Sequence, residues 1–484
     1  MTESRRPVCI HGHFYQPPRE NPWSGEIDLQ QSAAPYHDWN ERVTAECYEP
    51  NASARILGPD GGVLKRIDNY SLISFNFGPT LLSWMERERP ELYTKIIESD
   101  NKSRKRFSGH GGAIAQCYSH MIMPLASARD KKTQVLWGVS DFKHRFGRKP
   151  EGMWLPETAV DTETLEIMAD EGILFTILTP HQALEVRGHG GKWRDVSGGG
   201  IDTSVPYVCY LPSGREIAIF FYDGAIAHEI AFGDLLRDGA VLASRLAGTG
   251  NAVGKSPGLS HAAVDGETFG HHHKFGEMAL AYCLESIEAG MEAQLTVYGE
   301  HLDRFPPQNE VRIAENTSWS CVHGVERWRS DCGCTAGGHP EWNQKWRAPL
   351  REALDGLRKV LDPLFEEKGS GFFPDPWEAR DGYMDRILSG ESKALPEEAH
   401  DLLEMQRFSM LMFTSCGWFF DDISRIETLQ ILRYAARAIE IAEKISGASI
   451  EAPFIDVLEK VPGNTAEIKN GRIAYEKSKG ANKG

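Results

Sequence analysis

The sequence lacks the features of a membrane-embedded or nucleic-acid-binding protein. No uninterrupted apolar run reaches the ~18 residues that a transmembrane helix needs, and no apolar stretch of secretory type follows the N-terminal residues. Basic residues are in deficit, because 53 Lys and Arg face 69 Asp and Glu, for a formal net charge of −16. Nucleic acids and anionic membranes are bound by basic surfaces. We therefore expect neither as a partner.

Cysteine is scarce and irregularly spaced. The nine cysteines contain no CxxC pair, so neither a disulfide framework nor a standard zinc module is indicated, and a cytoplasmic location is the simplest interpretation. The one dense Cys/His cluster comprises Cys321, His323, Cys332 and Cys334. We prefer three interpretations over a metal site: free thiols, a Cys332–Cys334 disulfide or a Cys321–Cys332 disulfide. We therefore predict no metal.

Motifs for nucleotide and serine-hydrolase chemistry are also missing. The sequence contains no Walker loop, no GxGxxG after a predicted strand and no GxSxG elbow. What it does contain is 484 residues with a hydrophobic fraction of 41%, as in an ordinary soluble protein with a sizeable core. The 12 tryptophans and 14 tyrosines suit stacking on sugar rings, although most aromatic residues simply form core.

The chain divides into two parts by pattern. Residues 1–340 alternate short β-branched or aromatic runs with helical patterns, which predicts an α/β domain with a largely parallel sheet. Residues 341–462 carry apolar residues at helical spacing and predict a helical bundle, and the polar residues 463–484 predict a disordered tail. The predicted strands and helices of the first part are Val8–Phe14, Leu72–Phe77, Pro79–Glu88, Gly152–Leu155, Asp161–Glu171, Leu174–Leu178, Glu216–Phe221, Ser260–Val264 and Lys274–Ile287.

A Gly-rich stretch interrupts the first part between Val186 and Pro206. It is too polar for core. It is interpreted either as a disordered surface insertion or as a mobile lid that carries Trp193 to the substrate.

Polar and aromatic clusters follow most of the predicted strands. In barrels of parallel strands, the carboxyl ends of the strands carry the chemistry. Such placement at five strand ends predicts a site there. The clusters are His11–Pro18, Asn76–Pro79, Trp154–Glu157, Tyr222–Gly224 and Asp265–Glu267.

Two of these clusters supply candidate catalytic carboxylates, Glu157 and Asp265. Cleavage of a glycosidic bond with retention needs two carboxyl groups about 5–5.5 Å apart, one as nucleophile and one as general acid/base. On local pattern alone, Glu157 could instead belong to a helix start, and Asp265 with Gly266 could form a simple turn. Asp223 follows another strand in the same way and is the reserve candidate.

Two histidines on the first strand are candidate binding residues. His11 and His13 alternate along the strand, so both point to the same face. They could bind sugar hydroxyls or a metal, or be ordinary buried histidines. Because Gln16 and two prolines follow them, a binding role is favoured.

These clusters resemble the sequence regions of glycoside hydrolase family 57, in its alpha-amylase/alpha-mannosidase-like branch. His11–Pro17 resembles the first region, with two extra residues before Gln16. Gly109–Pro124 resembles the second, with His120 and with Gln116 near the place of a sugar-binding glutamate. Trp154–Glu157 resembles the third, where the glutamate is the nucleophile, and Asp265–Gly270 the fourth, where the aspartate is the acid/base. Trp319–Gly324 resembles the fifth, although Val322 stands where Trp-His-Gly has its tryptophan.

The resemblance implies an irregular seven-stranded β/α barrel with a helical bundle against its mouth. It implies a retaining hydrolase or glucanotransferase of amylase, 4-α-glucanotransferase or branching type, without metal or organic cofactor and with an α-glucan as substrate. The expected substrate-binding residues are His11, His13, Gln16, His120, Trp154, Asp223, Trp319 and His323.

Two other functions are weighed against this one. A metal-dependent polysaccharide deacetylase or mannosidase-like enzyme would use His11, His13 and Asp223 as metal ligands. A non-catalytic glucan-binding protein on the same barrel would bind without turnover, against which the presence of both carboxylates speaks. The oligomeric state stays open.

Overall fold

The computed structural model describes residues 5–248, 258–290 and 292–480, which form an α/β fold. The strands are β1 Arg6–Phe14, β2 Ala54–Leu57, β3 Val63–Ile67, β4 Ser74–Phe77, β5 Ala115–Gln116, β6 Met153–Trp154, β7 Phe175–Leu178, β8 Ala183–Gly188, β9 Arg194–Asp195, β10 Tyr207–Tyr210, β11 Glu216–Phe221, β12 Ser260–Asp265, β13 Ala293–Leu295 and β14 Asn309–Ile313.

Helices occur along the whole described chain, and after Ile313 the described chain has helices but no further strand. They are α1 Trp39–Val43, α2 Glu49–Asn51, α3 Pro79–Glu88, α4 Pro90–Arg106, α5 Ala128–Phe146, α6 Thr162–Asp170, α7 Gly224–Phe232, α8 Gly239–Gly248, α9 Gly276–Ala289, α10 Tyr298–Arg304, α11 Arg347–Gly369, α12 Pro376–Asp381, α13 Tyr383–Ser389, α14 Glu397–Leu411, α15 Cys416–Phe419, α16 Ile426–Ser446, α17 Glu451–Leu458 and α18 Gly471–Gly480.

Seven strands follow one another through parallel contacts. Strand β1 pairs with β4 on one side and with β12 on the other. From β4 the contacts continue through a bridge between Phe75 and Ala113 to β5, then to β6, and through a bridge between Gly152 and Phe175 to β7. Strand β7 pairs with β11, and the Asp223 amide after β11 donates to the His261 carbonyl of β12 (2.9 Å). All seven strands therefore run in one direction, so their carboxyl ends lie at the same edge.

The apolar runs of the sequence form the interior of these strands. The residues from Val8 to Ile10 are buried, as are the residues from Ile217 to Phe221. Strands buried on both faces are expected to be continuously apolar rather than alternating. The polar residues then appear where each strand ends.

The first part of the Gly-rich stretch, up to Asp195, forms a β-hairpin. Strands β8 and β9 pair antiparallel, with Val186 opposite Arg194, and β14 pairs with β8. The half-buried Trp193 ring is flanked by the guanidinium carbons of Arg187 and Arg312, 4.6 and 4.2 Å from its centroid. Such cation–π contacts fix the ring on the hairpin, which explains why the stretch is ordered despite its glycines.

The described chain divides into two compact units with other boundaries than the sequence predicts. The first unit contains 5–16, 29–116 and the described part of 145–315, and the second contains 17–28, 117–144 and 316–480. The first unit therefore ends about 25 residues earlier than expected from residues 1–340, and two early segments join the second unit. A change of pattern along the chain cannot show that segments 17–28 and 117–144 belong to the second unit.

The second unit contains the C-terminal helices, which bury an apolar face against one another. Helix α14 packs against α11 and α16, and α16 packs against α18. Helix α18 lies in the stretch predicted as a disordered tail, because Ala474 and Tyr475 are buried and anchor it; residues 481–484 lie outside the described residues. Among the described helices, none combines the length and apolar character that crossing a membrane requires.

Candidate functional site

The strand register brings the polar strand ends of the first unit together. In the parallel pairs of β1, His13 lies opposite Asp265 of β12 and opposite Asn76 of β4. His11 lies opposite Ser74. Since the side chains of His11 and His13 share one face of β1, both histidines meet the end of β4.

Asn76 connects both histidines in one buried network. His11 donates through Nε2 to Asn76 Oδ1 (3.0 Å) and accepts at Nδ1 from Ser74 Oγ (3.0 Å). Asn76 donates through Nδ2 to His13 Nδ1 (2.9 Å) and to Gln116 Oε1 (2.8 Å). Asn76 Oδ1 also lies 3.3 Å from His13 Nδ1, so Asn76 contacts this ring nitrogen through both of its polar side-chain atoms. Gln116 Nε2 is buried and finds no acceptor within the described part of the chain.

Trp154 stacks on both histidines. Its ring centroid lies 4.9 Å from that of His11 and 4.9 Å from that of His13, with interplanar angles of 17° and 19°. Tyr15 stacks on His13 at 5.7 Å. Burial lowers the pKa of each histidine to about 3. Both rings are therefore neutral at pH 7, and together they form a buried polar surface.

Glu157 has a strained backbone. Its φ is 57° and that of Thr158 is 50°, in the left-handed region that β-branched residues rarely enter. Thr158 is nevertheless held there, because Gln182 Nε2 donates to its carbonyl (2.8 Å) and its amide donates to the Leu155 carbonyl (2.8 Å). Strain of this kind is concentrated at functional sites. It also rules out the simple helix start that the local pattern allowed.

Asp265 and two glutamates form a coupled carboxylate group. Asp265 keeps solvent access at the end of β12, yet it lies deep among protein atoms. This desolvation is the largest influence that raises the pKa of Asp265 well above its usual range, followed by the charges of Glu267 and Glu157. The protonated form of Asp265 is therefore stabilised relative to that of an ordinary exposed aspartate. Burial and then the Asp265 charge also raise the pKa of Tyr222, to about 12.

Glu267 lies beside Asp265 and is a further candidate that the sequence-based selection did not include. It is buried, and its Oε1 accepts from the Tyr15 amide (2.9 Å) and from Tyr48 Oη (2.5 Å). Burial raises the pKa of Glu267 to about 7, although both hydrogen bonds act in the opposite direction. Its place two residues after Asp265 was a signal that could have identified it. Asn76, at another strand end, was equally visible.

Gly266, between these two carboxylates, touches the Phe14 ring so closely that a side chain does not fit. An added Cβ would lie 2.2–2.5 Å from three carbon atoms of that ring. We expect Gly266→Ala to lower the free energy of unfolding by about 1–3 kcal/mol, as overpacking does, measured by denaturant titration. Gly356→Ala in α11 meets open space and is the control, expected to be neutral or slightly stabilising. An unchanged stability of Gly266→Ala would contradict the close contact.

Asp223 and Gln16 complete the candidates of the first unit. Asp223 Oδ1 accepts from the amides of Ala225 and Ile226 (3.0 Å each), which makes it the N-cap of α7. Gln16 is half-buried just after β1. The capping role accounts for Asp223 without substrate, so substrate binding by this residue stays a prediction.

The other three candidate binding residues lie in the second unit. His120 is buried with a φ of 54°, and Ser415 Oγ lies 2.6 Å from its Nδ1. Trp319 is half-buried. His323 is exposed, and its Nδ1 lies 3.6 Å from Cys334 Sγ.

The histidines of the first strand do not converge with Asp223 as a ligand set. Among the described residues, the group of three or more His, Cys, Asp or Glu whose ligand atoms meet is Cys321, His323, Cys332 and Cys334. The metal-dependent alternative, which needs His11, His13 and Asp223 around one ion, has no support in this arrangement.

Comparison with known protein families assigns the chain to one of them. The model of glycosyl hydrolase family 57 matches residues 34–314, more than half of the chain. The chain belongs to glycosyl hydrolase family 57. A second model, a domain of unknown function (DUF3536), matches residues 342–480.

Relatives in sequence and structure agree with family 57. Alpha-amylase 1 of Dictyoglomus thermophilum is 24% identical over 162 residues, which are 34% of this chain and 21% of that protein, so the chain matches about a fifth of this relative's length. An exo-type maltose-forming amylase from Pyrococcus sp. ST04 has a TM-score of 0.70 at 14% identity, over 98% of this chain and 91% of that one. A GH57-type branching enzyme from Pyrococcus horikoshii has a TM-score of 0.55 at 16% identity, over 94% and 89%. These structures share the fold.

Proposed function

We propose that the protein is a retaining glycoside hydrolase or glucanotransferase acting on α-glucans, with Glu157 as nucleophile and Asp265 as general acid/base. Glu157 attacks the anomeric carbon while Asp265 protonates the departing glycosidic oxygen. A covalent glycosyl-enzyme forms. Asp265 then removes a proton from water, giving hydrolysis, or from a sugar hydroxyl, giving transfer.

The carboxylate coupling is the observation that carries this proposal. Asp265 is close enough to Glu157 for the charge of one to raise the pKa of the other. Two carboxyl groups whose environments separate their protonation states are suited to acid and nucleophile roles. The strained backbone of Glu157 adds a cost that a structural glutamate would not require.

The neighbouring residues support sugar as the substrate. The buried Gln116 Nε2, which finds no acceptor among the described residues, offers a hydrogen-bond donor. Neutral donors fixed by buried partners bind hydroxyl groups without attracting ions. Structures that share this fold include an amylase, a 4-α-glucanotransferase and a branching enzyme, which supports an α-glucan as substrate here.

The ring of parallel strands supports the finer fold prediction. We infer that β1, β4, β5, β6, β7, β11 and β12 are the seven strands of an irregular β/α barrel, because each pairs with the next and the last pairs with the first. We infer likewise that the packed helices α11, α14, α16 and α18 form the C-terminal bundle.

A cytoplasmic location is part of the proposal. The nine cysteines are unbridged, which favours a reducing compartment.

The proposed function is tested with a panel of linear and branched α-glucans. We expect the wild-type protein to release or transfer glucan chains, and nuclear magnetic resonance of the first product to show the α-anomer, as retention requires. The product sizes then separate hydrolysis from transfer and branching. A first product in the β-configuration would contradict the mechanism, and binding of every glucan without turnover would support the non-catalytic alternative.

A further inference from the structure

Three cysteines and one histidine of the second unit converge in space. Cys321 and His323 are separated by one residue, as are Cys332 and Cys334. The two pairs approach so that all four ligand atoms lie within 4.8 Å of one another. These residues fall between the two family matches, which end at residue 314 and begin at residue 342.

The distances in this cluster are those of a tetrahedral metal site. Cys321 Sγ lies 4.0 Å from Cys332 Sγ and 3.8 Å from Cys334 Sγ, and Cys334 Sγ lies 3.6 Å from His323 Nδ1. Sulfur and nitrogen ligands ~2.3 and ~2.05 Å from a central zinc would be about 3.8 Å apart for two sulfurs and about 3.6 Å for sulfur and nitrogen. A disulfide would need sulfurs about 2.05 Å apart. Of the alternatives that the sequence left open, the structure has the free thiols and neither of the two disulfides.

A buried cation lies against the cluster. The Arg347 side chain has no solvent exposure, and its Nη1 lies 3.1 Å from the Cys334 carbonyl and 3.8 Å from Cys332 Sγ. Its other hydrogen bonds go to main-chain carbonyls, including that of Trp418. A buried guanidinium favours a negatively charged neighbour. Three thiolates around one divalent cation have a net charge of −1. Such a site would therefore be a negatively charged neighbour for Arg347.

The surrounding chain has little regular structure to fix it. Between the end of β14 at Ile313 and the start of α11 at Arg347, the described chain forms one short helical turn, Glu326–Trp328. Loops longer than about 12–15 residues without secondary structure are uncommon in compact units. A structural metal site with four protein ligands stabilises such a segment directly.

We propose that Cys321, His323, Cys332 and Cys334 bind one structural zinc ion that ties the loop before α11 together. Zinc is favoured because three thiolates and one imidazole in tetrahedral arrangement suit it. All four coordination positions belong to the protein, so the ion is structural rather than catalytic. His323 is then a metal ligand, whereas its resemblance to the fifth family region implies a substrate contact.

The test is the metal content of the purified full chain, measured by plasma mass spectrometry, for the wild type and for Cys332→Ser, Cys334→Ser and His323→Ala. We expect about one zinc per wild-type chain. Each variant should contain much less zinc, because losing a ligand should lower the zinc affinity by at least tenfold. Cys416→Ser, which replaces a half-buried cysteine outside the cluster, is the matched control and should keep its zinc.

Replacement of the metal by cobalt gives a second readout that does not depend on enzymatic activity. Tetrahedral cobalt bound to thiolates has intense visible absorption, which the wild type should show and Cys334→Ser should lose even if that variant is less stable. A wild-type chain that contains no stoichiometric zinc and binds none when supplied with it after reduction would overturn the proposal. So would full zinc content in both Cys332→Ser and Cys334→Ser.

Discussion

Replacing Glu157 by Gln is expected to lower kcat/KM on α-glucans by about 10³-fold or more, the scale of residues that act as one catalytic unit. The amide cannot form a glycosyl ester, so the loss should be equally large for a substrate with a good leaving group. Asp265→Asn should lower kcat/KM on glucans by a comparable factor. With a glycosyl fluoride, the rate of its first step should fall far less, because fluoride departs without a proton.

The activity on a glycosyl fluoride therefore distinguishes the nucleophile variant from the acid/base variant. Glu216→Gln changes an exposed glutamate at the start of β11 and should keep wild-type rates, so it controls for charge removal. Near-full activity of Glu157→Gln on either substrate would disprove its role as nucleophile and would make Asp223 the next candidate.

Glu267→Gln is expected to move the alkaline limb of the pH–rate profile to lower pH. Glu267 has a pKa of about 7, so its negative charge appears as the pH rises through neutrality, and this charge raises the pKa of Asp265. The amide removes the charge, Asp265 then loses its proton at lower pH, and the general acid is lost earlier. The measurement is kcat/KM against pH for both proteins.

The substitution is designed to leave the hydrogen bonds intact. The Gln Oε1 atom can still accept from the Tyr15 amide and from Tyr48 Oη, as Glu267 Oε1 does. A merely structural role would change the rate equally at every pH. An alkaline limb that stays in place or moves to higher pH would show that Glu267 does not control Asp265.

Much of the first unit was predictable because local pattern and burial coincide there. The predicted and observed bounds of Pro79–Glu88 and Glu216–Phe221 are identical, and the other predicted strands and helices of the first part agree within two residues. The strands are short, mainly apolar runs, and the helices either begin at a proline, as at Pro79, or carry apolar residues at helical spacing. The short strands β5 and β9 have no such signal, since two residues are too few for any periodicity.

The placement of the candidate residues at strand ends was predictable from the sequence, but the hydrogen bonds that connect them were not. Strand ends identified Glu157 and Asp265 as candidates, because parallel strands bring their carboxyl ends together. The role of Asn76 as a shared partner of His11 and His13 depends on strand register, which spacing along the chain does not reveal. The same holds for the cysteine cluster, whose unusual spacing concealed a convergence that only folding creates.

The most direct test of the central proposal is to identify the residue that becomes glycosylated. The Asp265→Asn variant, treated with an α-maltosyl fluoride, should accumulate the covalent intermediate, because the first step needs no acid and the second lacks its base. Proteolysis and mass spectrometry are expected to find the added maltosyl mass on the peptide that contains Glu157. Attachment to another residue, or wild-type turnover of the fluoride by the variant without any attached sugar, would contradict the account.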